Sequence, residues 1–227
     1  MDSEQATDAP RPEAPSETRP EAPVEPRPEA RNDTPERLLR AAEMLVVQEG
    51  VHALTVRRIA NAAQVNSALI RYHFGGTDGL LRELALRNGA RIADARQALL
   101  EEPAPTDAFA QAVDALVLPL WTEAAMSGDY RAIVVLDEIF ARAGEPLHDE
   151  IWALFAQGVA RTADALAACL PGVDAQTLSW RIRFVTAAAL DVPPRSARAS
   201  GATVGRQGQQ GDRLAAFRAF AAHALRA

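Results

Sequence analysis

From Thr34 onward the apolar residues fall on helical spacing. Leu38, Ala41, Ala42, Leu45 and Val46 stand at i, i+3, i+4, i+7 and i+8, one face of a helix. Thr34 before Pro35 reads as an N-cap and first-turn pair, and Gly50 reads as the stop. Thr55 then caps a short second helix in which Val56, Ile59, Ala60 and Ala63 repeat the spacing. After the turn "QVN", Asn66 caps a third helix running to about His73. Gly75 and Gly76 end it, and Thr77 with Asp78 opens a long fourth helix. Three compact helices, with a tight turn between the second and third, describe a helix-turn-helix unit over residues 34–79.

Beyond Leu80 every segment reads as helix. The fourth helix reaches about Glu101, with Gly89 as a weak point. Thr106 caps a further segment to about Met126, bent at Pro119, and others span 130–143 and 146–170. Asp174 caps "AQTLSWRIRFVTAAALD", which ends before Pro193. Residues 194–211 are rich in Arg, Gly and Gln without an apolar period and read as a mobile loop, after which Asp212 starts a last helix. No strand-like alternation of useful length occurs. The expected fold is all-α, with a larger helical domain over 80–227.

The first 33 residues differ from all of this. They carry a short repeat, "RPEAPSET", "RPEAPVEP" and "RPEARNDT", beginning at Arg11, Arg19 and Arg27. Recurrent proline and the scarcity of apolar residues predict an extended, disordered tail. It is read as a solvated tail or as a recruiting segment, and no function is assigned to it.

Charge sharpens the division. The net −6 of the chain is uneven: residues 1–33 hold nine acids and four arginines, 34–91 five acids and eight arginines, and 92–227 sixteen acids and twelve arginines. Only the middle segment, 34–91, which contains the helix-turn-helix, is basic, and nucleic-acid binding needs local rather than global positive potential. Every one of the 24 basic residues is arginine, which excludes a Walker lysine or a Schiff-base lysine.

Other chemistries find little footing. The single cysteine, Cys169, sits in the apolar run "ALAACL" and reads as a small buried hydrophobe in a reducing compartment. With no apolar run of membrane-spanning length and no secretory signature in the acidic, proline-rich start, a cytoplasmic protein without membrane contact is expected. His52, His73, His148 and His223 lack metal-ligand spacing, and "GATVGRQGQQG" has neither lysine nor a preceding strand to make a phosphate cradle. Neither catalysis, nor a metal, nor a cofactor is expected.

The third helix carries the informative chemistry. Ile70 and Phe74 fall on one side with Val65, Ile59 and Leu45 as core partners, while Ser67, Ala68, Arg71 and Tyr72 share the opposite face. Ala68 permits close backbone approach to DNA, and Arg71 can give two hydrogen bonds to guanine O6 and N7. Ser67, Tyr72 and His73 suit phosphate oxygens, as do the backbone N–H groups at Asn66 and Ser67. Leu69 can meet a thymine methyl or pack on the fourth helix.

Residues 36–84, "ERLLRAAEMLVVQEGVHALTVRRIANAAQVNSALIRYHFGGTDGLLREL", resemble the N-terminal domain of the TetR/AcrR family of bacterial transcription regulators. The landmarks are "AAEMLVVQEGVHALTVRRIA", the short turn, "LIRYHF", and a glycine-containing turn followed by "LL". The resemblance implies DNA contacts from Thr55, Val56 and Arg57 and from Asn66, Ser67, Ala68, Leu69, Arg71, Tyr72 and His73. Two positions depart from the family pattern. Gln64 stands where glycine is common in the turn, and Thr77 where a phosphate-binding lysine usually opens the fourth helix. Thr77 and its helix N-terminus can still hold a phosphate without the full charge. Arg71, where the family often has tyrosine, can supply that charge.

For the remainder, the resemblance implies effector binding and a homodimer through the last two helices. The residues are compatible on their own terms. Leu178, Ile182, Val185 and Ala189 make one apolar face of their helix, while Trp180, Phe184 and Ala188 make a second. In the last helix Leu214, Phe217, Ala221 and Ala224 form one stripe, with Phe220 and Ala216 beside it. Such faces need either two partners or burial within one chain. Trp121, Trp152 and Phe155 can line an apolar cavity for a largely apolar effector or simply be core. Arg131, Asp137, Glu138 or His148 would be its polar anchor. The expected function is a ligand-responsive regulator, a repressor acting as a homodimer on a palindromic double-stranded operator. The alternative, motivated by Gln64, Thr77 and the acidic total, is a helical ligand-binding or scaffold protein without operator recognition.

Overall fold

The computed structural model describes residues 33–102, 107–190 and 207–227, with the backbone alone for 207–210; the acidic repeat tail and most of the expected 194–211 loop lie outside them. Within the described residues the chain forms nine α-helices. They are α1 (Thr34–Glu49), α2 (Val56–Ala63), α3 (Ala68–Phe74), α4 (Thr77–Glu101), α5 (Ala108–Val117), α6 (Ala132–Phe140), α7 (Glu145–Cys169), α8 (Ala175–Leu190) and α9 (Gln207–Arg226). The only strand-type pairing among them is one isolated antiparallel bridge between Glu123 and Arg131. The fold is all-α. None of these helices is long and apolar enough to cross a membrane.

Two apolar cores organise the helices. The first gathers Leu38, Val46 and Val51, Ile59 of α2, Ile70 of α3, Leu80 and Leu84 of α4, Leu136 and Ile139 of α6, and Ile151 of α7. The second joins Phe109 and Val113 of α5, Leu166 of α7, Leu178 and Val185 of α8, and Ala221 and Leu225 of α9. The helix-turn-helix therefore shares a continuous core with α6 and the start of α7. The two 25-residue helices, α4 and α7, pack against each other and approach closely at Gly89. A Cβ there would stand 3.2 and 3.3 Å from the Cδ1 atoms of Ile151 and Leu154. The expected weak point is thus a close-packing site, since absence of a side chain lets two helices approach.

Several boundaries differ from the sequence reading. Asp33 precedes the first turn of α1 and Thr34 is already helical and buried. Asp107, not Thr106, caps α5, accepting a hydrogen bond from the Ala110 N–H at 3.0 Å; Thr106 lies outside the described residues. The segment expected to continue as helix to Met126 instead tightens into a 3₁₀ turn, Leu118–Trp121, around Pro119 and then becomes a non-helical hairpin over 122–131. Proline cannot donate to a continuing α-helix, and the hairpin satisfies its backbone by Ala124 N–H to Tyr130 O (2.7 Å) and Ala132 N–H to Thr122 O (2.8 Å). The last helix begins at Gln207, not Asp212. Propagation from a packed C-terminal half needs only backbone hydrogen bonds, and glutamine is a good helix former.

Candidate nucleic-acid interface

Thr55 opens α2, its Oγ1 accepting from the Arg58 N–H at 3.2 Å. The turn into α3 is held from a distance. Gln64 adopts the left-handed conformation, φ 54° and ψ 46°, and it is the only non-glycine residue with positive φ among those described. Arg37 of α1 donates through Nη2 to Ala63 O at 2.6 Å and to Gln64 O at 3.2 Å. A guanidinium thus pins the carbonyls of a turn that lacks its customary glycine. Asn66 caps α3 as read from sequence, its Oδ1 accepting from the Ala68 N–H at 2.9 Å. Gly75, at φ 74°, closes α3, its N–H reaching Arg71 O at 3.0 Å. Gly79 then lets α4 start tightly, because a Cβ there would fall 1.9 Å from Phe74 O.

This scaffold fixes which side chains face out. Ile70 is fully buried, whereas Ser67, Ala68 and Arg71 are exposed and Tyr72 is 80% exposed. On α2, Val56 and Arg57 project to solvent beside Thr55. Arg58, by contrast, is engaged with Glu49 through Nη2 at 2.6 and 2.5 Å. Arg57 and Arg71 have no ion pair among the described residues, so their charge is available. His73 is half-buried and meets the Tyr72 ring edge-on at 4.8 Å. Leu69 is half-buried against the first core. Thr77 is half-buried at the start of α4, where the helix N–H groups are unsatisfied within the helix.

The five residues read as effector contacts fall into separate places. Arg131 lies 4.9 Å over the Trp121 ring, which also sits 5.3 Å from Phe217. Its guanidinium donates to Ala189 O at 3.2 Å and Leu190 O at 2.9 Å, capping the end of α8. Burial, with Arg213 nearby, lowers its pKa to about 10. Trp152 and Phe155 pack edge-to-face at 6.2 Å on α7, with Trp152 60% exposed, and Asp137 is exposed. Of the other anchors considered, Glu138 is buried in α6, and His148 stacks on Phe140 at 4.4 Å. A cleft of about 440 Å³ lies elsewhere, between the start of α4 and the α6–α7 turn, floored by Leu81, Ile139 and Leu147. Ion pairs Arg142–Asp78 (3.3 Å) and Arg82–Glu150 flank it. None of the five lines it.

Sequence reasoning missed Arg37, Glu43 and Asn88. Glu43 is fully buried and burial raises its pKa, offset by donors from Asn88, Met126 and Ser127. Its spacing from Leu39 and Val46 was the available signal, since a carboxylate amid a buried stripe demands partners.

On the outer side of α8, Trp180 and Phe184 stack at 5.9 Å and stand 49% and 65% exposed; Phe220 of α9 is 55% exposed. The inner face of α8 is packed, with Leu178, Val185 and Ala189 buried.

Comparison with known proteins bears on the whole arrangement. Residues 38–84 match the model of bacterial regulatory proteins of the tetR family, and residues 114–224 match the tetracyclin repressor-like C-terminal domain. No protein of curated function matches the sequence significantly. Among solved structures, the TetR family transcriptional regulator PfmR from Thermus thermophilus is similar, at 17% identity and a TM-score of 0.58, over 84% of this chain and 94% of that one. A chain from Rhodococcus sp. described as a TetR-family transcriptional regulator is similar at 21% identity and a TM-score of 0.54, over 85% and 97%. The two structural likenesses bear on the fold, and the two family models, which between them reach from α1 to α9, bear on kinship: this chain belongs to the TetR family of bacterial transcriptional regulators.

Proposed function

We propose that the protein is a homodimeric, effector-released repressor that reads a palindromic operator through α3. The observation that carries this reading is the polarity of α3: Ile70 fully buried on one side, and Ala68, Arg71 and Tyr72 exposed on the other. Arg71 is the base-reading residue and Ala68 allows close approach. Ser67, Tyr72, His73, Thr55, Arg57, the Asn66–Ser67 N–H groups and Thr77 hold phosphate, while Val56 and Leu69 line the contact. The domain division follows the same logic, with residues 34–79 reading DNA and 80–227 sensing and pairing.

The exposed Trp180, Phe184 and Phe220 support pairing through α8 and α9. A two-fold dimer sets its recognition helices about 34–36 Å apart, in successive major grooves. An effector held near Trp121 and Arg131 lowers operator affinity by favouring a different spacing, and it must bind that state more tightly to do so.

Selection of bound duplexes from a random pool, then titration of the winner at two salt concentrations, tests the reading. The expected result is an enriched inverted repeat with strongly salt-dependent affinity. Weak, uniform binding with no enrichment would overturn it and favour a helical ligand-binding protein without an operator.

A further inference from the structure

We infer that Glu43 fixes the angle at which the DNA-reading helices sit on the rest of the chain, and thereby the half-site spacing that a dimer accepts. The inference rests on the dimeric operator reading proposed above.

Three elements meet at this carboxylate. It projects from the middle of α1 and accepts from Asn88 Nδ2 of α4 at 3.2 Å, from the Met126 N–H at 3.2 and 3.1 Å, and from Ser127 Oγ at 3.1 Å. Asn88 completes the joint, donating also to Leu84 O at 2.9 Å and accepting from the Ala125 N–H at 3.0 Å. Both side chains have no exposed surface. Two of the three residues that donate to Glu43 thus belong to the 122–131 hairpin, outside the helix-turn-helix.

That hairpin is tied at both ends. Arg91 Nε donates to Glu123 O at 2.9 Å, and Gln48 Nε2 donates to the Tyr130 hydroxyl at 3.2 Å. At its far end Arg131 holds the terminal carbonyls of α8. A polar path therefore runs from α8, through the hairpin, to the first helix of the DNA-reading unit.

The chemistry makes this joint a detent rather than a spring. A buried carboxylate that loses hydrogen-bond donors pays the desolvation of charge without recompense. Sliding the hairpin off α1 removes the Met126 and Ser127 donors together, so intermediate positions are disfavoured and the angle is held at one value. The apolar contacts around it, non-directional by nature, define no such stop.

The test uses the full-length chain and inverted repeats built from the selected half-site, with the spacing changed by one or two base pairs. One base pair moves a half-site by about 3.4 Å and turns it by about 35°. The wild type is expected to lose about tenfold or more in affinity per base pair of misfit, whereas Glu43→Gln loses about threefold or less, or has a displaced optimum. Ser127→Ala, which leaves Glu43 the Asn88 and Met126 donors, should lie between them and carries the test alone if Glu43→Gln does not fold. Destabilisation without loss of angle would lower all affinities together and leave the profile unchanged; that result in both variants, or in Ser127→Ala alone where Glu43→Gln does not fold, overturns the proposal while leaving the dimer reading intact. A wild type with no preferred spacing overturns both.

Discussion

Gln64 holds a left-handed backbone that costs a side-chain-bearing residue about 1–2 kcal/mol, and Arg37 offsets that cost by clamping the adjacent carbonyls. Glycine would remove the strain but enlarge the unfolded ensemble, so Gln64→Gly is expected to stabilise by about 0.5–1 kcal/mol in urea denaturation. A destabilised variant would mean the glutamine side chain makes a contact worth more than the strain. At Glu43 burial raises the carboxyl pKa above its ordinary 4.5. The folded value then exceeds the unfolded one, so its contribution to stability is full below the unfolded value and is lost as pH rises through the raised folded value. Thermal melts taken from neutral pH down toward that ordinary value should shift in favour of the wild type over Glu43→Gln; a constant gap would contradict the raised value. For base reading, Arg71→Ala should relax preference at one position per half-site, costing about 1–3 kcal/mol for each lost bidentate contact. Equal loss on every duplex sequence would place Arg71 on phosphate. The outward face of α3 was legible in the sequence because its buried partners are local in the chain. Arg37 was not, since its acceptors lie 26 and 27 residues away and backbone carbonyls have no sequence signature.

Among the elements, helix starts and the 122–131 hairpin mark the two extremes of what spacing alone reveals. The starts at Asn66 and Asp174 were readable because capping is a short-range exchange between a side chain and an N–H two or three residues on. The first arm of the hairpin was not, because "TEAAM" is composed of residues that tolerate helix. What opposes helix there is Pro119 before it and the distant partners Glu43 and Asn88, which satisfy its N–H groups. Glycines were similarly ambiguous. Gly79→Ala should cost about 2 kcal/mol or more and open the α3–α4 corner, since its Cβ would meet backbone rather than a movable side chain. Gly89→Ala should be near neutral, as the opposing methyl groups can give way and alanine gains about 1 kcal/mol of helix propensity. Gly89→Leu should lose about 1–3 kcal/mol by overpacking the α4–α7 crossing. Chemical denaturation of the three variants separates these cases.

For the whole molecule, the proposed dimer makes operator affinity depend on two subunits arriving together. Phe184→Glu places charge in the exposed apolar face and is expected to yield a monomer in analytical ultracentrifugation, with weak half-site binding retained and palindrome affinity lost. A dimer unaffected by this change would place the interface elsewhere. Thr77→Lys should raise affinity for any duplex and steepen the salt dependence by about one phosphate contact. The tryptophans supply a readout for these events without labels. Trp121 sits half-buried beneath the Arg131 guanidinium, Trp180 stacks on Phe184 at the exposed face, and Trp152 packs edge-to-face on Phe155 within α7. Variants keeping one indole at a time would therefore act as separate optical channels. A blue shift from Trp180 would report association of subunits, altered emission from Trp121 would report events at the junction of Arg131 with the end of α8, and Trp152 would report on the exposed face of α7.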